Sequence, residues 1–296
     1  MDERLNDLVE AAEDLGQEVE RFTSGYMAMA FGEGIRHPHS LVTARCLRRQ
    51  VEAVKATCLL ARNSMGHLAV CLLRPACEEY LWLAYLSTLD KNVANSLIAH
   101  MSTHDGYRAI RAQQQYFGKR EMKLIGFPAK YVNAIPARHA NVERKLRDLG
   151  ARLQWPTGEN SLLPPTAWIA AQAGQSKLYD YLYSATSRAV HFSPMEVIRG
   201  NMASPNADGV LTLPANHDPN HVRYRGTFAL YWMCHLLILT VPVVYKVLGK
   251  NPESPQIEID TRYLEIANRI AGHGKAPIVI SAEMQLEIQH VLHLKK

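Results

Sequence analysis

The sequence predicts an all-α fold, a multi-helix bundle built around one buried helix. Three observations carry that reading. Apolar residues recur at helical spacing in segment after segment of the chain. The stretch from Met65 to Leu89 is apolar at nearly every helical angle, and a helix with no face to spare for water belongs inside a bundle. Phe228 to Leu248 is more apolar still and supplies a second core helix.

The elements follow in order. Residues 3–31 set Leu5, Leu8, Val9, Ala12, Leu15, Val19 and Phe22 on one helical face and acids on the other. Gly32, Gly34 and His37-Pro38-His39-Ser40 break that helix, and Ser40 is placed to cap the next, Leu41 to about Ala61. Arg62-Asn63-Ser64 marks a turn before the central helix. Pro75 removes a backbone donor there and predicts a kink. Glu78 and Glu79 would then lie in the first turn after the kink, where a helix N-terminus favours negative charge.

Beyond Asp90 a long helix runs to about Phe117. Gly118 to Arg152 reads as shorter helices punctuated by Gly126-Phe127-Pro128 and Ile135-Pro136. Trp155 to Pro165 is a loop, and Thr166 to Val190 returns to helix. From His191 to Pro219 the pattern fails. Within 197–213 a short β ribbon is expected, pairing Gly209–Leu213 with Val197-Ile198.

Phe228–Leu248 is long enough to span a bilayer. His235, Thr240, Pro242 and Lys246 interrupt it, no second such segment exists, and it reads as a core helix with no membrane role. Ile257–Ile270 and Pro277–Leu294 add two amphipathic segments. The chain divides into an acidic helix (1–39), a main bundle (40–250) and a helical extension (251–296), together one structural domain.

Composition bounds the class. The chain of 296 residues is 47% apolar and 21% charged, as soluble globular proteins are. Its five cysteines show no Cys-x-x-Cys spacing and read as buried hydrophobes, neither disulfides nor zinc ligands. The acidic start, Met1-Asp2-Glu3-Arg4, does not read as a secretory signal, so the cytoplasm is expected. The net charge of +5 is mild but unevenly spread. Residues 1–34 hold nine acids and two bases, and residues 108–152 hold eleven bases and three acids. Either the two regions face each other, within the chain or across a homodimer or protein partner, or the basic block meets a polyanion. Its nucleic-acid candidates are Arg138, Arg144, Lys145 and Arg147, in a block interleaved with Tyr107, Tyr116, Phe117, Phe127 and Tyr131.

Arg74 and Glu78, four apart in the central helix, share a face. Two buried charges cost several kcal/mol each unless fully partnered, so the pair is either a structural bolt or part of a site. A later segment supplies a polar stripe: Asp180, Ser184, Ser187, Arg188 and His191. It cannot be a catalytic triad by itself, because Asp180 and His191 would lie about 16 Å apart along the axis, and no glycine-flanked nucleophile elbow occurs. His100-x3-His104-Asp105 and Glu287-x2-His290 have ligand spacing, but a di-metal bundle needs two Glu-x-x-His motifs and two more glutamates. No metal site is expected on that count, and the lack of a Gly-rich phosphate loop predicts no nucleotide cofactor.

Leu-Leu-Arg-x3-Glu (Leu72 to Glu78), paired with Tyr183-x3-Ser187-x3-His191, resembles a bacterial all-helical family known only as a domain of unknown function. The resemblance spans about residues 40–245. It implies a cytoplasmic helical protein, of a kind found near mobile-element and phage-defence genes. It also implies that Arg74, Glu78, Ser187 and His191 meet in space, and it implies no activity. Arg62-Asn63-Ser64-Met65-Gly66-His67 is similar to the Arg-x4–6-His motif of HEPN ribonucleases, in which arginine would stabilise phosphate charge and histidine would move the ribose proton. Arg188-x2-His191 is too short for that motif.

Three readings stand at this point. The first is a non-enzymatic sensing or interaction protein, attached to a defence or regulatory system. The second is a metal-independent HEPN-like ribonuclease using Arg62 and His67, with Arg188 and His191 as the other catalytic candidates. The third is a small-molecule pocket around Arg74 and His191.

Overall fold

A computed structural model describes residues 3–33, 37–156, 161–191, 204–205, 211–212, 219–248 and 261–274. Its helices are α1 (Glu3–Glu33), α2 (Pro38–Arg62), α3 (Gly66–Leu86), α4 (Lys91–Leu124) and α5 (Ala129–Arg152). Then come α6 (Thr166–Gln172), the single turn α7 (Ser176–Leu178), a π-helical turn (Tyr179–Tyr183) and α8 (Ser184–Val190). The two longest-separated pieces are α9 (Pro219–Leu248) and α10 (Thr261–Gly272). A two-residue ribbon pairs β1 (Ser204–Pro205) with β2 (Leu211–Thr212), antiparallel. The ribbon thus falls within 197–213, but the partner of β2 is Ser204–Pro205; Val197-Ile198 lie outside the described residues, as does Pro277–Leu294.

The core forms where the two most apolar helices meet. α9 packs along α3 more extensively than any other pair, and α2 and α1 close over them. Leu73, Cys77 and Leu81 of α3 and Phe228, Met233, Leu236 and Leu237 of α9 are fully buried. α9 is the one helix among the described residues that is long and apolar enough to cross a membrane, and 67% of its most apolar window is buried in the bundle.

The crossing of α3 and α9 requires glycine. A Cβ added at Gly66 would stand 2.4 Å from the Cα of Gly226 and 2.9 Å from the Val222 carbonyl. The two backbones touch there, which explains a glycine in the first turn of the central helix.

Several local expectations are corrected. α2 starts at Pro38 rather than after Ser40, because proline has no N–H to satisfy and fits the first turn. α3 runs unbroken through Pro75, and α5 through Pro136. Glu78 and Glu79 are therefore mid-helix, and Glu79 is held by Arg49 at 2.9 Å in place of a helix N-terminus. α4 continues to Leu124 across a break at Gly118, whose φ of 78° suits glycine. Asp90 caps α4, accepting from the N–H groups of Asn92 and Val93.

α4 and α5 form a hairpin arm. α4 packs chiefly on α5 and less on α2. Val142 and Leu146 join the main core, while Met122, Val132 and Ile135 are buried outside it, further along the arm. Trp155 anchors the return of the chain: its Nε1 donates to the Tyr85 hydroxyl at 3.1 Å.

α1 makes no extensive contact with the arm among the described residues. Its acids pair elsewhere: Glu13 with Arg62, Glu20 with Lys55, and Asp7 and Glu10 with Arg269 of α10. The expected contact between the acidic helix and the basic block is absent from the described residues, because α2 and α10 supply the counter-charges first.

Candidate functional site

Arg74 is the centre of a clasp between α3 and the π-turn. Its Nε donates to Glu78 Oε1 at 3.1 Å, Nη1 to Ser187 Oγ at 3.0 Å, and Nη2 to the Tyr183 hydroxyl. The guanidinium also lies 3.9 Å from the centre of the Tyr183 ring. Helical spacing sets the Arg74–Glu78 half; the π-turn sets the other half. A π-turn bonds i to i+5 and so rotates the following residues relative to a regular helix. Tyr179 and Tyr183 stack obliquely, 4.6 Å apart, and Tyr183 and Ser187 reach Arg74 together.

Arg74 is mostly buried (14% of its side chain exposed) and Glu78 is partly open (39%). His191, expected in this centre, is exposed. α8 ends at Val190, His191 turns extended, and only its backbone N–H bonds back, to the Ser187 carbonyl. Among the described residues its imidazole makes no hydrogen bond. Asp180, Ser184 and Arg188 are also exposed, so the polar stripe divides into Ser187, facing Arg74, and a solvated remainder. Next door, Cys71 Sγ donates to the Ala189 carbonyl at 3.1 Å.

Glu78 also lines an open cleft of about 320 Å³ between α2 and α3, with Val42, Cys46, Glu79, Trp82 and Leu86. Burial raises the Glu79 carboxyl above its usual range, and Arg49 partly offsets this. The Cys46 thiol is pushed up to about 12, by burial and then by Glu79. It stays protonated at neutral pH and is no nucleophile. His191 is not among the residues lining this cleft.

Arg62 of the ribonuclease-like pair is drawn to another partner. Arg62 is engaged by both carboxylate oxygens of Glu13, with Nη2 to Oε2 at 2.7 Å. That ion pair raises the Arg62 pKa, the hydrogen bond being the main cause. His67 is half-buried in the first turn of α3, beside the Gly66–Gly226 crossing. In this structure the guanidinium links α1 and α2 through a solvent-accessible ion pair.

Two groups were missed in sequence. Arg225 is 2% exposed, one residue before the crossing glycine, and its charge lowers the raised pKa of Cys71. The signal was present in Arg223-Tyr224-Arg225-Gly226, a basic pair directly before the apolar run. The other is a cluster across the arm. His139 Nε2 lies 2.9 Å from His104 Nδ1, and His139 Nδ1 lies 3.6 Å from Glu143 Oε1. The His139/Glu143 pair is spaced i, i+4 on α5, which periodicity could have flagged.

On the arm, Arg138 stands over Tyr131 at 5.7 Å and Arg144 donates to Asn141 at 2.8 Å. None of the eleven bases in 108–152 forms an ion pair among the described residues. Tyr116 is 85% exposed, beside Phe117 at the Gly118 break.

The fold and the clasp define a class: an all-helical bundle in which an arginine of the central helix is held by a tyrosine of a π-turn and a serine of the helix that follows it. The chain belongs to the family of unknown function (DUF5677), which matches residues 40–209. That span takes in both halves of the clasp and the whole arm, and it ends before α9. No curated protein and no solved structure matches the chain.

Proposed function

We propose that this is a non-enzymatic interaction protein whose α4–α5 arm engages single-stranded nucleic acid. The observation that carries the reading is the charge state of the arm. Eleven bases stand against three acids over 108–152, and no base there is in an ion pair among the described residues. The acids of α1 are already taken by α2 and α10. An unpaired basic surface attracts phosphates, and each contact releases counterions. Tyr116, Phe117 and Tyr131 are exposed among these bases and offer stacking faces to unpaired bases. The ion pair of Arg62 with Glu13 and the three hydrogen bonds of Arg74 support a role without catalysis.

The test is fluorescence anisotropy of single-stranded RNA across a salt series. Affinity should fall with a slope near −0.7 per phosphate contacted. Arg144→Glu with Arg147→Glu should weaken binding to all sequences alike and flatten the slope. Tyr116→Ala should weaken binding at every salt with the slope unchanged. Absence of RNA binding, or binding only to anionic lipid vesicles, would overturn the assignment of partner. Cleavage of tRNA in EDTA that disappears with His67→Ala would overturn the non-enzymatic reading.

A further inference from the structure

We propose that His104 of α4 with His139 and Glu143 of α5 forms a binding site for a divalent transition-metal ion of the zinc class. This goes beyond the nucleic-acid reading and does not depend on it. The three side chains each offer one ligand atom, and these atoms lie within 4.8 Å of one another. Zinc binds imidazole nitrogen at about 2.0–2.1 Å and carboxylate oxygen at about 2.0–2.2 Å, so tetrahedral ligand atoms stand about 3.3–3.5 Å apart. The His104–His139 contact of 2.9 Å must open slightly, and the widest separation, up to 4.8 Å, must close by up to about 1.3–1.5 Å, a shift that side-chain rotation supplies.

The surroundings suit a cation. His104 is buried at 7% exposure, and His139 stacks on it at 4.7 Å between ring centres. Tyr107 also packs against His139, at 6.0 Å between ring centres and nearly perpendicular. Burial first, then the nearby His139, disfavours a charged His104 ring. Asp105 and Glu143 add negative charge and Arg108 opposes it. Before the ion enters, one ring N–H donates across the 2.9 Å contact. On ligation that proton moves to the remote nitrogen of the same ring, so the imidazoles release no net proton.

Two imidazoles and one carboxylate are a borderline ligand set, which favours zinc-class ions over magnesium or calcium. Three protein ligands also leave a fourth position for water. The thiols Cys46, Cys58 and Cys77, pushed up to about 12 mainly by burial, do not compete. The site ties α4 to α5 between the main core and the outer patch of Met122, Val132 and Ile135, so an ion would stiffen the arm.

The test uses the full chain, stripped of metal and without nucleic acid. Zn²⁺ is titrated by calorimetry, and Co²⁺ is followed by its visible ligand-field absorption. One ion per chain is expected, with a rise in thermal stability. Glu143→Gln, at a side chain 35% exposed and so tolerant of change, should weaken binding roughly 10–100-fold. His139→Phe keeps a stacked ring and should abolish both the cobalt spectrum and the thermal gain. No saturable binding by the wild type, or an isotherm unaltered by Glu143→Gln, overturns the site. Failure of RNA binding leaves this result untouched, and the reverse holds.

Discussion

Arg74→Ala tests whether the clasp is structural. The guanidinium donates three hydrogen bonds, to Glu78, Ser187 and Tyr183, and lies on the Tyr183 ring. Hydrogen bonds to a charged group are worth about 1.5–3 kcal/mol each, and the ring contact about 0.5–2 kcal/mol. Their sum overstates the loss, because partners of one side chain are not additive. Breaking a fully buried ion pair costs about 3–5 kcal/mol, since a charge is stranded. Glu78 is 39% exposed and can rehydrate, which lowers that figure. The expected loss is about 2–3 kcal/mol, or roughly 4–10 °C in Tm for a domain of this size. Urea unfolding followed by circular dichroism measures it. Tyr183→Phe and Ser187→Ala should each cost about 1 kcal/mol, and Glu78→Gln less than Arg74→Ala. A loss below about 0.5 kcal/mol for Arg74→Ala, the range of an ordinary surface change, would refute the argument. So would a Glu78→Gln loss equal to that of Arg74→Ala, because the carboxylate would then be the central group.

Other expectations follow from named contacts. Gly66→Ala drives a Cβ to 2.4 Å from the Gly226 backbone and should cost about 1–3 kcal/mol or more in urea unfolding, while Gly226→Ala, whose nearest contact is 3.3 Å, should cost less. His39 is lowered from 6.5 to about 4, by burial and then by Lys91. Its folded pKa lies below the unfolded value, so its stabilisation is complete above 6.5 and lost as pH falls towards 4. Between pH 6.5 and 5 that is roughly 1.5 kcal/mol, and the slope should flatten in His39→Gln. Arg269→Ala should loosen α10 from α1 by about 1 kcal/mol, since its partners Asp7 and Glu10 are solvated, and amide exchange in 261–272 should quicken.

The fold was legible because burial imposes its period on a helix, and the clasp was half legible for the same reason. An arginine and a glutamate four apart on an all-apolar helix must share a face and find partners, so Arg74 and Glu78 could be marked at once. Ser187 came through its motif, but Tyr183 as the ring beneath Arg74 depends on the π-turn. One extra residue in a turn leaves no trace in a periodicity read at 3.6. His191 illustrates the converse. It continues the stripe on paper, yet the helix stops one residue before it and the side chain leaves for solvent. Proline misled in another way: Pro75 and Pro136 each remove a donor, yet each lies inside a helix that continues on both sides of it. The charge asymmetry was plain, and its resolution was not, because which bases reach α1 is decided by the packing of α2 and α10. The cluster of His104 with His139 shows the limit most clearly. Each helix carries its part in readable spacing, but their meeting depends on the register of the hairpin. The turn at Gly126–Pro128 and the break at Gly118 set that register, and a shift of one residue on α5 would turn His139 by about 100° away from His104.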